Sequence, residues 1–98
     1  MIFPRIEIHY CTRCRWLLRA SWISQEILST FGAQLGEVAL TPSQEAGTFQ
    51  IYCQTENGKA LLWDRKDRER FPEAKEVKQA IRDIIKPEMD LGHSDRKE

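Results

Sequence analysis

No stretch of the chain approaches the roughly 20 consecutive apolar residues of a membrane-spanning helix, so a transmembrane anchor is not expected. Excess charge of one sign is missing too. Fifteen basic and fifteen acidic residues cancel across 98 positions, so no global field draws the chain to nucleic acid, a membrane surface or an acidic substrate. The opening residues MIFPRIEIHY hold no apolar run long enough for a signal-peptide core, and Arg5 brings charge early. Cysteine is scarce: three residues, an odd count that suits a disulfide scaffold poorly and a reducing, cytoplasmic home well. Repeats, linkers and low-complexity tracts are also lacking. What is present, 41% hydrophobic and 31% charged residues, makes one small domain with a core. It is expected to span residues 1–88, with 89–98 as a polar tail.

Along the chain the hydrophobic period changes several times. Ile6, Ile8 and Tyr10 alternate with Arg5, Glu7 and His9, which predicts a strand ending at Cys11. From about Thr12 the spacing becomes helical. Trp16, Ala20, Ile23, Ile27 and Phe31 form one stripe, widened by Leu17 and Leu28, with Gly32 as the stop. Gly36–Pro42 predicts a second strand, which after a helix of this length lies parallel to the first through a right-handed crossover. Thr48–Gln54 and Lys59–Asp64 predict an antiparallel hairpin with Asn57-Gly58 at its tip. The charged run Arg65–Arg70 predicts a solvated loop, its acids alternating with its bases. Phe71-Pro72-Glu73 opens a last helix with Ala74, Val77, Ile81, Ile84 and Ile85 on its buried face, and Pro87 ends it. The order is β-α-β-β-β-α: a mixed four-stranded sheet packed with two helices, an α/β arrangement of the thioredoxin-like kind.

Cys11 and Cys14 stand in CxxC spacing at the predicted strand-to-helix junction. Unpaired N–H groups at a helix start favour a thiolate, and Thr12, Arg13 and Arg15 surround the pair, with Arg19 adding a further cation. Two intervening residues let the sulfurs close a small ring, one attacking and the other resolving. A CxxC beside a βαβ pattern favours this dithiol reading over two others. A zinc site needs four ligands. His9 and Cys53 are the nearest additions, but His9 belongs to the face away from the buried stripe, and His93 lies in the tail. Simple packing of both cysteines is disfavoured by the polar residues between them. Cys53, sharing a face with Phe49 and Ile51, reads as an inert core residue. Trp16 reads as core and Trp22 as core or edge packing. Tyr10 reads as a strand residue, and Pro42 ends the second strand.

With these residues in place, YCTRCRWLLRASW, TPSQEAGTFQI and NGKALLWDRKDRERFPEAKEVKQAIRD together resemble the Rdx family, the selenoprotein W-like group of small thioredoxin-fold proteins. The resemblance covers roughly Ile6 to Ser94. In its animal members the motif is CxxU, with selenocysteine second. Here that position is Cys14, as in a bacterial, cysteine-containing member. The family's Gly-x-Phe matches Gly47, Thr48 and Phe49, its Gly-Lys-x-Leu/Ile matches Gly58, Lys59 and Leu61, and its Leu-Gly-His-Ser-Asp ending stands at Leu91 to Asp95. Bacterial relatives carry a Gly-rich segment before Phe-Pro-Glu, where this chain has Asp67 to Arg70. That departure bears on partner choice if the loop borders the dithiol.

The resemblance implies a thiol–disulfide redox protein, glutathione- or thioredoxin-linked, acting in redox homeostasis with Cys11 and Cys14 as catalytic residues. Its partner is a protein thiol or disulfide, or glutathione as co-substrate, with no resident cofactor or metal and no nucleic acid or membrane. A non-enzymatic, redox-switched interaction module is the alternative, and a small zinc-binding domain the third reading. Which sulfur attacks stays open: a helix start favours Cys11, while the position of selenium in the relatives favours Cys14.

Overall fold

Alternation over Arg5–Cys11 becomes strand β1, with Ile6 and Ile8 wholly buried on one face. The computed structural model describes residues 2–92. After β1 come α1 (Leu17–Phe31), β2 (Glu37–Ser43), β3 (Phe49–Thr55), β4 (Gly58–Asp64), α2 (Arg65–Arg68) and α3 (Ala74–Ile85). The sheet order is β2-β1-β3-β4. β1 runs parallel to β2, Arg5 opposite Glu37 through Cys11 opposite Ser43, and antiparallel to β3. β2 is an edge strand, which is why it can contain Pro42 without losing a ladder bond to a second neighbour.

Register decides the core. Ile6 faces Cys53, Ile8 faces Ile51 and Tyr10 faces Phe49, so these side chains share one side of the two central strands. Both long helices lie on that side. α1 contributes Ala20, Ile23, Ile27 and Phe31, and α3 contributes Val77 and Ile81. Lys78 of α3 reaches Glu26 of α1 at 2.9 Å. Both helical stripes are narrower than the sequence promises: on α1 Leu17 and Leu28 remain 49% and 45% exposed, and on α3 Ile84 remains 39% exposed. The sheet's other face carries polar groups. There Glu7 is buried yet fully engaged, by His9 Nε2 at 2.9 Å, Lys59 Nζ at 2.9 Å and Arg5 Nε at 3.2 Å. The His9 hydrogen bond first, and the Lys59 ammonium next, hold its carboxyl below the usual carboxylate range.

Four sequence expectations need correction. The first helix begins at Leu17, not Thr12, because Arg15 takes the left-handed region (φ 59°) and interrupts helical propagation. The hairpin turns at Glu56-Asn57, one residue early. Thr55 pairs with Gly58, the Thr55 hydroxyl accepts the Asn57 N–H at 3.2 Å, and Gly58 takes the positive φ (135°) that Asn57 does not. Arg65–Arg70 is not merely a solvated loop. Asp64 caps α2 by accepting the Lys66 N–H at 2.9 Å, and four of its basic and flanking contacts are aromatic: Arg65 lies on Trp16 and Phe71, and Arg68 and Arg70 lie on Trp63. Pro72 precedes the last helix, and Glu73 is its N-cap.

That cap is reciprocal. Glu73 and Glu76 form a capping box, the Glu76 carboxylate accepting the Glu73 N–H at 2.9 Å. Arg70 grips the same carboxylate with both terminal nitrogens, at 2.9 and 2.7 Å. The Arg70 guanidinium first, and the Glu73 backbone bond after it, bring the Glu76 pKa down to about 2. A folded-state pKa below the unfolded one contributes stability above pH 4.5 that is lost as pH falls from there through about 2. Screening at this surface site leaves the pair about 1 kcal/mol. Glu76→Gln should therefore lower unfolding stability near neutral pH by about that amount. The gap should narrow steadily below pH 4.5 and be mostly gone near pH 2, where about half of folded Glu76 is protonated, and urea titrations across this range check this.

Candidate functional site

β1 carries the chain outward to Cys11, and a turn over residues 12–15 returns it to α1. Cys11 and Cys14 are joined as a disulfide in this turn, their Cα atoms 5.4 Å apart. The loop is anchored on both sides. Cys11 N–H donates to Thr48 O at 2.8 Å, and Thr12 N–H donates to Ser43 O at 3.2 Å, with the Thr12 hydroxyl on the same oxygen at 3.4 Å. Arg15 N–H closes the turn onto Thr12 O at 3.3 Å. Gly47 takes φ 80° just ahead of Thr48, a conformation costly for any other residue, and so presents that carbonyl to Cys11.

The two cysteines differ in exposure. Cys11 is wholly buried, whereas Cys14 keeps part of its surface in solvent. The Cys14 N–H donates to Cys11 Sγ at 3.2 Å. The helix start contributes less than the sequence implies. α1 begins three residues after Cys14, its N-cap Trp16 offers no side-chain cap, and its first turn holds no acid. Thr12, Arg13 and Arg15 are all at the turn and exposed, so Thr12 ties the loop to β2 while both arginines stand in solvent around the pair.

Beneath the turn lies an aromatic cluster that sequence spacing does not bring together. Trp16 meets Phe71 edge-on at 4.9 Å and Phe49 at 6.4 Å, and Phe49 meets Phe71 at 5.2 Å. Phe49 sits opposite Tyr10, next to Cys11, so this cluster is at the dithiol end of the sheet. Arg19 lies 4.0 Å over the Phe71 ring and Arg65 4.7 Å from Trp16. Arg65 and Phe71 were readable only as neighbours of a charged loop. Their signal was an arginine run flanked by Trp63 and Phe71, which needs the fold to become a site.

Cys53 stands apart from the pair, buried in the core, and burial pushes its thiol up. His9 is occupied with Glu7 on the opposite face of the sheet. Among the described residues, no three His, Cys, Asp or Glu side chains converge as metal ligands. Trp22 is 43% exposed rather than packed in the core. The Pro42 peptide is trans, the cis bond among the described residues being Phe3–Pro4. Met89 and Leu91 pack against the core, and His93 with the end of the Leu91–Asp95 motif lies outside the described residues. No helix among the described residues is long and apolar enough to cross a membrane.

Comparison with known proteins agrees with this geometry. The sequence profile of the Rdx family matches residues 5–83. A crystal structure from Bordetella parapertussis is 60% identical, with a TM-score of 0.73 over 82% of this chain and 95% of that one. The crystal structure of a selenoprotein W-related protein from Vibrio cholerae is 48% identical, with a TM-score of 0.75 over 83% of this chain and 95% of that one. The architecture is consistent with the thioredoxin-like fold of that protein, and α2 is an element beyond the order read from the sequence. No curated protein sequence matches.

Proposed function

The chain belongs to the Rdx family, and from that premise we propose that it is a thiol–disulfide redox protein in which Cys11 and Cys14 cycle between dithiol and disulfide. The observation that carries this is a joined pair with one buried and one partly exposed cysteine, in a turn anchored to both β2 and the β3 entry. In the reducing direction, the Cys14 thiolate attacks one sulfur of a substrate disulfide. That S–S bond breaks, and the first substrate thiolate leaves and takes a proton. Cys11 then attacks Cys14 Sγ, the second substrate thiolate leaves, and the protein retains the Cys11–Cys14 disulfide. Two electrons pass from protein to substrate, and the reverse sequence oxidises a substrate dithiol.

A protein thiol or glutathione serves as the partner in this reading, and a reducing compartment such as the cytoplasm supplies the dithiol form. Intact mass after mild oxidant and after reductant is expected to differ by two hydrogens, reversibly, and the difference should vanish when both cysteines are serine. A protein that fails to interconvert would defeat the proposal. A second reading, a redox-switched interaction module, is favoured by the exposed Leu18 and Trp22, one turn apart on the helix that follows the pair. Turnover of a small disulfide substrate at a catalytic rate selects the first reading. Reversible oxidation without turnover selects the second.

A further inference from the structure

Arginines at the dithiol end lack counter-ions. Arg5, Arg70 and Arg82 each hold a carboxylate, whereas Arg13, Arg15, Arg19 and Arg65 make no ion pair among the described residues. Two of them are held in place. The Arg19 and Arg65 guanidinium carbons lie 4.0 and 5.3 Å from the centre of the same Phe71 ring, and Arg65 also lies on Trp16, two residues after Cys14. The Arg65 Nε is buried without a hydrogen-bond partner. Nearby acids do not answer this charge: Glu45 is taken by Lys66 and Thr48, Asp64 by α2 and Gln50, and Asp67 and Glu69 form no ion pair with either arginine. Two guanidinium groups beside one aromatic ring, neither with a carboxylate partner, leave positive charge at the dithiol end unanswered.

We propose that Arg19 and Arg65 bind a carboxylate beside the reactive cysteine of a protein partner, so that the dithiol selects acidic polypeptide segments. This rests on the redox reading above. A polypeptide rather than a small thiol is favoured because the first turn of α1 also exposes Leu17 and Leu18, 49% and 82%, directly after the pair. That strip offers an extended segment apolar contact in addition to the charge pair.

The test compares the reduced protein acting on symmetric disulfides of two short peptides, one with Glu and Asp flanking its single cysteine and one with Gln and Asn. At low salt the acidic peptide should be reduced roughly tenfold faster, and salt should erode the preference. In Arg19→Gln/Arg65→Gln the ratio of the two rates should fall towards one, and Arg19→Lys/Arg65→Lys should restore part of it. A purely structural role would lower both rates together and leave the ratio standing, which would overturn the assignment, as would equal rates in the parent protein. Oxidised glutathione, run in parallel, would overturn the commitment to a polypeptide if it matched the acidic peptide in rate and in arginine dependence. If neither peptide nor glutathione is reduced, the redox reading itself falls and this inference with it. Reduction without charge preference removes the inference alone.

Discussion

Cys14→Ser should leave a protein that scarcely forms a mixed disulfide, whereas Cys11→Ser should form one readily and keep it. Access is the reason. Cys14 is partly exposed, while Cys11 is wholly buried at the end of β1 with its N–H bonded to Thr48. An external disulfide reaches Cys11 only when the turn opens. If that opening costs about 3 kcal/mol, it slows the reaction roughly a hundredfold. In Cys11→Ser the adduct on Cys14 accumulates because the resolving thiol is gone. Intact mass of each reduced variant, followed over time with excess oxidised glutathione, reads both quantities. Equal adduct rates in the two variants would defeat the assignment of Cys14 as the attacking sulfur. Cys53 is not expected to contribute in either variant, since it is buried in the core and burial raises its thiol pKa.

The largest loss of stability is expected from Phe49→Ala. Phe49 is wholly buried, stands opposite Tyr10 in the sheet, and packs edge-on against both Trp16 and Phe71. Removing the ring opens a cavity between the central strands and the start of α1, and such truncations cost about 3–5 kcal/mol. That is a large share of the stability of a domain this size. The same cluster underlies the dithiol turn, so the variant should also speed disulfide exchange at Cys11 by loosening the turn that shields it. Leu18→Ala, at a side chain 82% exposed, should change stability by no more than about 0.5 kcal/mol. Urea unfolding of both variants makes the comparison. A Phe49→Ala cost below about 1 kcal/mol would show that the cluster is not cooperative with the core.

These two expectations stand on different kinds of information. CxxC spacing and a change of period around it are local properties, so the pair, its place after a strand and the helix that follows are legible in the sequence. The boundary of that helix is not. Arg15 departs from helical geometry in a turn where Thr12 is bound to Ser43, the last residue of a strand separated from it by the whole of α1. Propensity carries no trace of such a long-range bond. For the same reason the attacking sulfur could not be chosen from a helix start. The helix begins too late to distinguish the cysteines, and their difference in burial is what the proposed assignment rests on.

The charged run shows the opposite error. Arg65, Arg68 and Arg70 alternate with acids and read as solvated, because nothing in the run itself names an aromatic neighbour. Trp63 and Phe71 flank the run, but Trp16 is supplied by the other end of the chain. Similarly, Asn57-Gly58 carried the correct hairpin, yet the turn moved one residue because Gly58 alone supplied the positive φ and the Thr55 hydroxyl caught the Asn57 N–H.

By itself the sequence determined the order of the four strands and two long helices, most apolar positions of the core, the family resemblance and the cysteine pair, since each depends on periodicity or spacing among near neighbours. Only the tertiary structure decided which cysteine is buried and which partly exposed, and which arginines gather without counter-ions at the dithiol end. Those are set by burial and by contacts between residues more than fifty positions apart, which the register of β1 against β3 and the return of α2 and Phe71 to Trp16 and Arg19 create.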